Sequence, residues 1–260
     1  ALGWPPSFVQ LARRATRGGG RIRARNGRPD MSWSQALRPL HAGPSAGDPL
    51  PQGPGEPVAC SRRAASICIA SGKGGTGKSV VSASLAQLFA ARGRTLLVDA
   101  DMGVGNAHIL QNVAPRRSFV DVVAGRCDVG EAVQPCGQSL HLLSAGSGVS
   151  RMAGLSTYEL HLIAGGLEDL EGQYEFLVVD SAAGISEQTV AFAAACDRVL
   201  VVTTPDLTAV TDAYAFIKVL HQRRPLQVPL VLVNRVDPQA SADPRESEHT
   251  AARAAERTAG

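Results

Sequence analysis

Lysine is nearly absent from this chain of 260 residues: only Lys73, Lys78 and Lys218 occur, and arginine supplies the other basic side chains. Two of the three lie in one glycine-rich stretch, so this charge is used at one place rather than spread over a surface. Cysteine is also sparse. Cys60, Cys68, Cys127, Cys136 and Cys196 are odd in number, widely scattered and form no CxxC pair, which excludes a disulfide framework and a zinc site as readings. No apolar run approaches the ~20 residues that span a bilayer, and the first residues lack an apolar core followed by a small-residue cleavage site. A reducing, cytoplasmic setting is the expectation.

The formal charge of +3 invites a nucleic-acid partner, but it hides an asymmetry. Residues 1–40 hold eight arginines and one acid, Asp30; the remaining 220 residues hold 18 basic and 22 acidic side chains. The body is mildly acidic, and no specific nucleic-acid partner is expected. The excess of arginine and alanine fits a GC-rich coding sequence better than a basic surface.

Residues 1–64 are rich in Arg, Gly and Pro, with no sustained apolar period, and are expected to be disordered. Two other readings stay open: a nucleic-acid-binding or partner-binding arm, or a natural start at Met31 that would make residues 1–30 non-native. Residues 65–236 read as one α/β domain. Residues 237–260 are a polar, alanine-rich tail, expected to be disordered or truncated.

Within the domain, short apolar runs alternate with longer helical patterns, the signature of a mostly parallel sheet with helices on both faces, three layers in all. Strands are predicted over 66–71, 94–99, 139–144, 175–180, 198–203 and 228–234, and helices over 77–92, 157–171, 186–195 and 207–222. In the last helix, Leu207, Val210, Tyr214, Ile217 and Leu220 recur near the helical period and predict a core-facing stripe.

Between the first strand and first helix stands Gly72-Lys73-Gly74-Gly75-Thr76-Gly77-Lys78-Ser79, which satisfies the phosphate-loop pattern G-x-x-x-x-G-K-[ST] in its required context. The backbone N–H groups of Gly72, Gly74, Gly75, Thr76 and Gly77 are expected to cradle phosphates at the positive end of a helix. Lys78 would reach the β and γ phosphates of ATP, and the Ser79 hydroxyl would ligate Mg²⁺. The strand EFLVVD ends in Asp180, a carboxylate placed to hold Mg²⁺ through water. A second pair, Asp99 and Asp101, follows the strand TLLV at the carboxyl end, where open α/β sheets bind ligands. The last strand ends at Asn234, whose amide could both donate to and accept from an adenine edge.

Lys73, directly after the first glycine, makes the loop a K-G-G-x-G-K-[ST] variant, and here the sequence resembles the MinD/ParA family of P-loop ATPases. That resemblance implies an ATP-bound sandwich homodimer in which Lys73 reaches the partner's phosphates. It also implies a switch in which Asp101 positions the attacking water and Asn106 lies near the γ-phosphate. Ser181-Ala182-Ala183-Gly184-Ile185-Ser186 looks like the family's second switch.

This run together with Asp180 before it, and Val210-Thr211-Asp212-Ala213-Tyr214-Ala215-Phe216-Ile217-Lys218-Val219-Leu220, resemble the FlhG (FleN, YlxH) group of the family, which regulates flagellar number. The resemblance implies the FlhF GTPase and flagellar regulators as partners. Ser34-Gln35-Ala36-Leu37-Arg38 is a shortened echo of that group's DQAxxLR segment. The family's usual last strand and amphipathic membrane-targeting helix have no recognisable counterpart, so association with the inner face of the membrane rests on the family alone. Two alternatives stay open: a ParA-type partition ATPase binding DNA non-specifically, against which the Pro-Gln of its switch is lacking after Asp101, and a non-hydrolysing scaffold.

Overall fold

In the computed structural model the described residues are 33, 63–102, 105–146 and 155–237. They form β1 (Ala65–Ser71), α1 (Lys78–Ala90), β2 (Thr95–Ala100), α2 (Ala107–Leu110), α3 (Phe119–Val123), β3 (Val133–Pro135), β4 (Leu140–Leu143), α4 (Thr157–Glu171), β5 (Phe176–Ala183), α5 (Glu187–Ala195), β6 (Arg198–Thr203), α6 (Leu207–Arg223) and β7 (Leu230–Val233). One seven-stranded sheet has the order β3-β4-β2-β5-β1-β6-β7. Every pairing is parallel except β3 with β4. Helices cover both faces, giving the three-layer P-loop NTPase fold.

The strand sequences explain this burial. All six residues of β2, TLLVDA, are buried, as are the middle residues of β5. Such continuous apolar strands require cover on both sides, which parallel crossovers supply. The connection from β1 runs to β2 on one side, whereas that from β5 runs to β6 on the other. With right-handed crossovers these leave on opposite faces and open a crevice at the carboxyl ends of β1 and β5. The glycine loop and Asp180 both sit there.

All six predicted strands and all four predicted helices are present, with ends shifted by up to three residues. The short α2, α3 and β3 were not foreseen. β3 pairs antiparallel at the sheet edge and ends in Pro135, a position where a missing N–H is tolerated.

The predicted stripe of the last helix is corrected. α6 buries Ala209, Ala213, Phe216 and Leu220, while Leu207, Val210 and Tyr214 are exposed and Ile217 is partly buried. The reason is close approach. A Cβ on Gly72 would fall 2.1 Å from the Asp212 carbonyl oxygen, so the start of the loop lies directly on the α6 backbone, beside Ala213. Small residues face inward there, and the larger apolar ones turn outward. β7 likewise departs from the expectation of strands buried on both faces: Leu230, Val231 and Val233 are exposed on this edge strand.

Trp33 belongs to the stretch expected to be disordered, yet it is fully buried. Its indole Nε1 donates to Glu171 Oε1 at 2.7 Å, its ring lies 6.2 Å from that of Phe192, and Arg63 pairs with the other Glu171 oxygen. The remaining expectations for residues 1–62, including Ser34 to Arg38, and for the tail from Pro238 concern residues outside those described. The described cysteines are free thiols. Among the described residues no helix is long and apolar enough to cross a membrane.

Candidate functional site

The loop from Gly72 to Gly77 leaves β1 and enters α1 with Gly75 at φ 78° and Gly77 at φ 92°, left-handed conformations that favour glycine. Gly77 is the N-cap of α1 and no side chain caps the helix, so its first N–H groups are open to an anion. A Cβ on Gly77 would also fall 2.5 Å from Asn234 Nδ2. That amide donates to the Thr76 carbonyl oxygen at 2.8 Å, so the chain just after β7 holds the loop from behind. Asn234 thus stands beside the loop, with one amide proton committed to the loop itself. A Cβ on Gly74 would meet nothing within 4 Å, and the fold makes no demand for glycine there.

Lys78 and Ser79 open α1. Lys78 is buried, with Nζ 3.4 Å from Asp180 Oδ1; Ser79 is half-buried. Ser82, one turn later on the same face, donates to that same Oδ1 at 2.9 Å. The second oxygen, Oδ2, is buried without a partner. Asp180 therefore has one oxygen fixed inward and one unengaged.

Asp99 is the register partner of Asp180 across β2 and β5, and it is fully buried. Burial, and next the charge of Asp180, push its carboxyl up to about 7. Its oxygens accept from the N–H groups of Asp101 at 3.2 Å and Ala107 at 3.1 Å. A Cβ on Gly105 would lie 2.6 Å from Asp99 Oδ2. Asp101 is half-buried just beyond, and Asn106 is exposed at the N-cap of α2. Asp99 was legible as half of a DxD pair, but not as the buried carboxylate that accepts from the backbone N–H groups of Asp101 and Ala107. The signal was present: LLVD and LVVD are twin strand endings.

Lys73 is exposed and turned sideways. Its Nζ lies 3.2 Å from Asp206 Oδ1 and 2.6 Å from Thr208 Oγ1. Asp206 is the N-cap of α6, accepting from the Ala209 N–H at 2.9 Å. Hydrogen bonds from Thr204 first, then Thr208, Ala209 and Lys73, hold its carboxyl well below the usual carboxylate range. Neither Asp206 nor Thr208 was singled out in the sequence, since an N-cap aspartate followed by threonine is an ordinary helix start.

The residues present fit a magnesium ion. Asp180 Oδ2 has no partner, Asp99 beside it is pushed up by burial and then by the charge of Asp180, and Ser79 lies in the first turn of the adjacent helix. Among the described residues no cluster of three or more His, Cys, Asp or Glu could hold a metal. Few protein ligands, all of them hard oxygens, suit an ion that keeps waters and takes phosphate oxygens.

The chain is 37% identical over 157 residues to the antiactivator FleN of Pseudomonas aeruginosa, covering 60% of this chain and 56% of FleN. It is 32% identical over 176 residues to the septum site-determining protein MinD of Bacillus subtilis, covering 65% and 64%. It therefore spans less than two thirds of the length of these curated relatives. The MinD fold in the MinC:MinD cell division complex of Aquifex aeolicus superposes with a TM-score of 0.57 at 28% identity, over 67% of this chain and 70% of that one. The family described as the CobQ/CobB/MinD/ParA nucleotide binding domain (CbiA) matches residues 67–253. With the phosphate loop, paired carboxylates and sheet order in place, the chain belongs to the CobQ/CobB/MinD/ParA nucleotide-binding domain family.

Proposed function

We propose that the chain is a slowly hydrolysing ATPase switch that dimerises when it binds ATP. The observation that carries this reading is the buried Asp180 carboxylate, with Oδ1 engaged by Lys78, the last lysine of the glycine loop, and by Ser82, and with Oδ2 unpartnered. A buried oxygen without a partner is costly unless a ligand completes it.

In this reading the N–H groups of Gly72, Gly74, Gly75, Thr76 and Gly77 receive phosphate oxygens, and Lys78 turns from Asp180 to the β and γ phosphates. Ser79 and Asp180 would hold Mg²⁺, which when bound would neutralise charge on the phosphates. Asp101 accepts a hydrogen bond from the attacking water. As the water oxygen bonds to the γ-phosphorus, the bond to the bridging oxygen breaks and ADP and phosphate leave. Asp99, braced by Ala107 and Asp101, sets the switch backbone. Asn106 senses the γ-phosphate, and Asn234 contributes to the base pocket while holding the loop. Lys73 leaves Asp206 and Thr208 for the partner subunit's nucleotide, so ATP binding and dimerisation become one event.

Similarity to FleN of P. aeruginosa, and to the flagellum site-determining protein YlxH of Helicobacter pylori at 36% identity over 154 residues, supports a role in flagellar number or placement. An FlhF-type GTPase is then the expected partner, in the cytoplasm or at the inner face of the membrane. Phosphate release from Mg·ATP tests the enzymatic part. Turnover of the wild-type chain with loss in Asp101→Ala, both proteins binding nucleotide, supports it; equal rates in the two would reject the assignment of Asp101.

A further inference from the structure

Ser82 is a polar side chain where the packing calls for none. It sits inside α1 among the buried Val81, Ala83 and Ala86, and is 1% exposed. An alanine would fill this helix position well, with better intrinsic propensity. The hydroxyl instead donates between two acceptors: the Lys78 carbonyl oxygen one turn back at 3.0 Å, and Asp180 Oδ1 at 2.9 Å. The bond to a charged carboxylate is the stronger kind.

We infer that Ser82 is a positioning residue that keeps Asp180 Oδ2 aimed at the metal position once Lys78 has left for the phosphates. The inference rests on the ATP and Mg²⁺ reading above. Asp180 Oδ1 has two neighbours, and they differ in permanence. Lys78 Nζ, at 3.4 Å, is the looser one and is the group that phosphates draw away. Ser82 belongs to the body of the helix and stays. With nucleotide bound it is the donor that holds Oδ1 inward. Without it the carboxylate can rotate about its last torsion, which is broad for an aspartate. The oxygen that meets the metal's water shell is then no longer fixed. Second partners of this kind tune metal affinity without touching the metal.

The test is equilibrium binding of the fluorescent ATP analogue mant-ATP to the full chain, titrated with Mg²⁺ and repeated in EDTA. Loss of one charge-assisted hydrogen bond, worth about 1.5–3 kcal/mol, corresponds to about tenfold or more. Ser82→Ala is expected to need about tenfold more Mg²⁺ for half-maximal binding, with unchanged mant-ATP affinity in EDTA. Ser82→Thr, which keeps the hydroxyl, is expected to restore the wild-type midpoint. An unchanged Mg²⁺ midpoint in Ser82→Ala would overturn the inference, and so would an equal loss of affinity in EDTA. Should circular dichroism show Ser82→Ala unfolded, Ser82→Cys, with a weaker donor of similar size, takes its place: a raised Mg²⁺ midpoint supports the inference and an unchanged one overturns it. Absence of binding by the wild-type chain in both buffers would instead reject the ATP reading, and this inference with it.

Discussion

Lys73 and Asp206 meet within one chain, 133 residues apart in sequence, with Nζ 3.2 Å from Oδ1 and Thr208 completing the contact at 2.6 Å. The lysine that the family resemblance directs to a partner's phosphates is thus engaged at home, on the helix that packs against Gly72. In the proposed dimer, Lys73 must leave this pair to reach the partner's nucleotide. Both side chains are about half exposed, so solvent screens the pair and it is worth little. Asp206→Asn removes the charge and keeps a competent N-cap for α6. It is expected to lower, by up to about fivefold, the protein concentration at which ATP drives dimer formation. Analytical ultracentrifugation over a dilution series reads this, and an unchanged or raised concentration would count against the pair as a restraint.

The glycines of the loop are not equivalent. Gly72→Ala places a Cβ 2.1 Å from the Asp212 carbonyl oxygen, a backbone atom that cannot yield without moving α6. Its cost is expected to reach about 2–3 kcal/mol, with a lowered melting temperature. Gly74→Ala meets nothing within 4 Å and is expected to melt within a degree or two of the wild type. Thermal unfolding of the two variants side by side distinguishes them.

Asp99 makes stability depend on pH. Its carboxyl is pushed from an ordinary 3.8 up to about 7, by burial and then by Asp180. The folded state therefore holds the proton more tightly than the unfolded chain. The resulting stabilisation is fully present below about 3.8 and is lost as pH rises through about 7. In EDTA, urea unfolding is expected to show a contribution from this group falling by about 2–4 kcal/mol between pH 5 and pH 8. Asp99→Asn should flatten that part of the profile; an identical pH slope in the variant would contradict the assignment.

Trp33 tests how much of the amino-terminal region belongs to the domain. Trp33→Ala removes a fully buried indole and its bond to Glu171, and about 3–5 kcal/mol of stability is expected to go with it. The chain has only one other tryptophan, Trp4, so Trp33→Phe also identifies the buried emitter. It is expected to remove the short-wavelength part of the fluorescence. A spectrum and a melting temperature unchanged in both variants would contradict this packing.

Much of the fold was legible because its strands are buried on both faces, and such runs as TLLVD, EFLVVD and RVLVVT stand out whatever surrounds them. The loop was legible because phosphate binding demands a fixed spacing of glycine and lysine. What escaped had weaker local causes. The α6 stripe was misread because helical period alone cannot say which of two apolar faces meets the sheet; the contact with Gly72 selects the alanine face. Trp33 escaped since one aromatic residue in a Gly- and Pro-rich stretch carries no period. Ser82 and Asp206 escaped because their partners are distant in sequence, and a serine in a helix or an aspartate before one has an ordinary explanation.

The coupling of ATP to dimerisation is tested most directly by sedimentation velocity of the full chain carrying Asp101→Ala, with and without saturating Mg·ATP. With Asp101 in its proposed role, hydrolysis is expected to be blocked and any ATP-bound dimer to accumulate. A monomer without nucleotide that converts to a dimer with Mg·ATP, and fails to convert when Lys73→Ala is added, is the expected result. A monomer at saturating Mg·ATP, in a protein shown to bind the nucleotide, would contradict it.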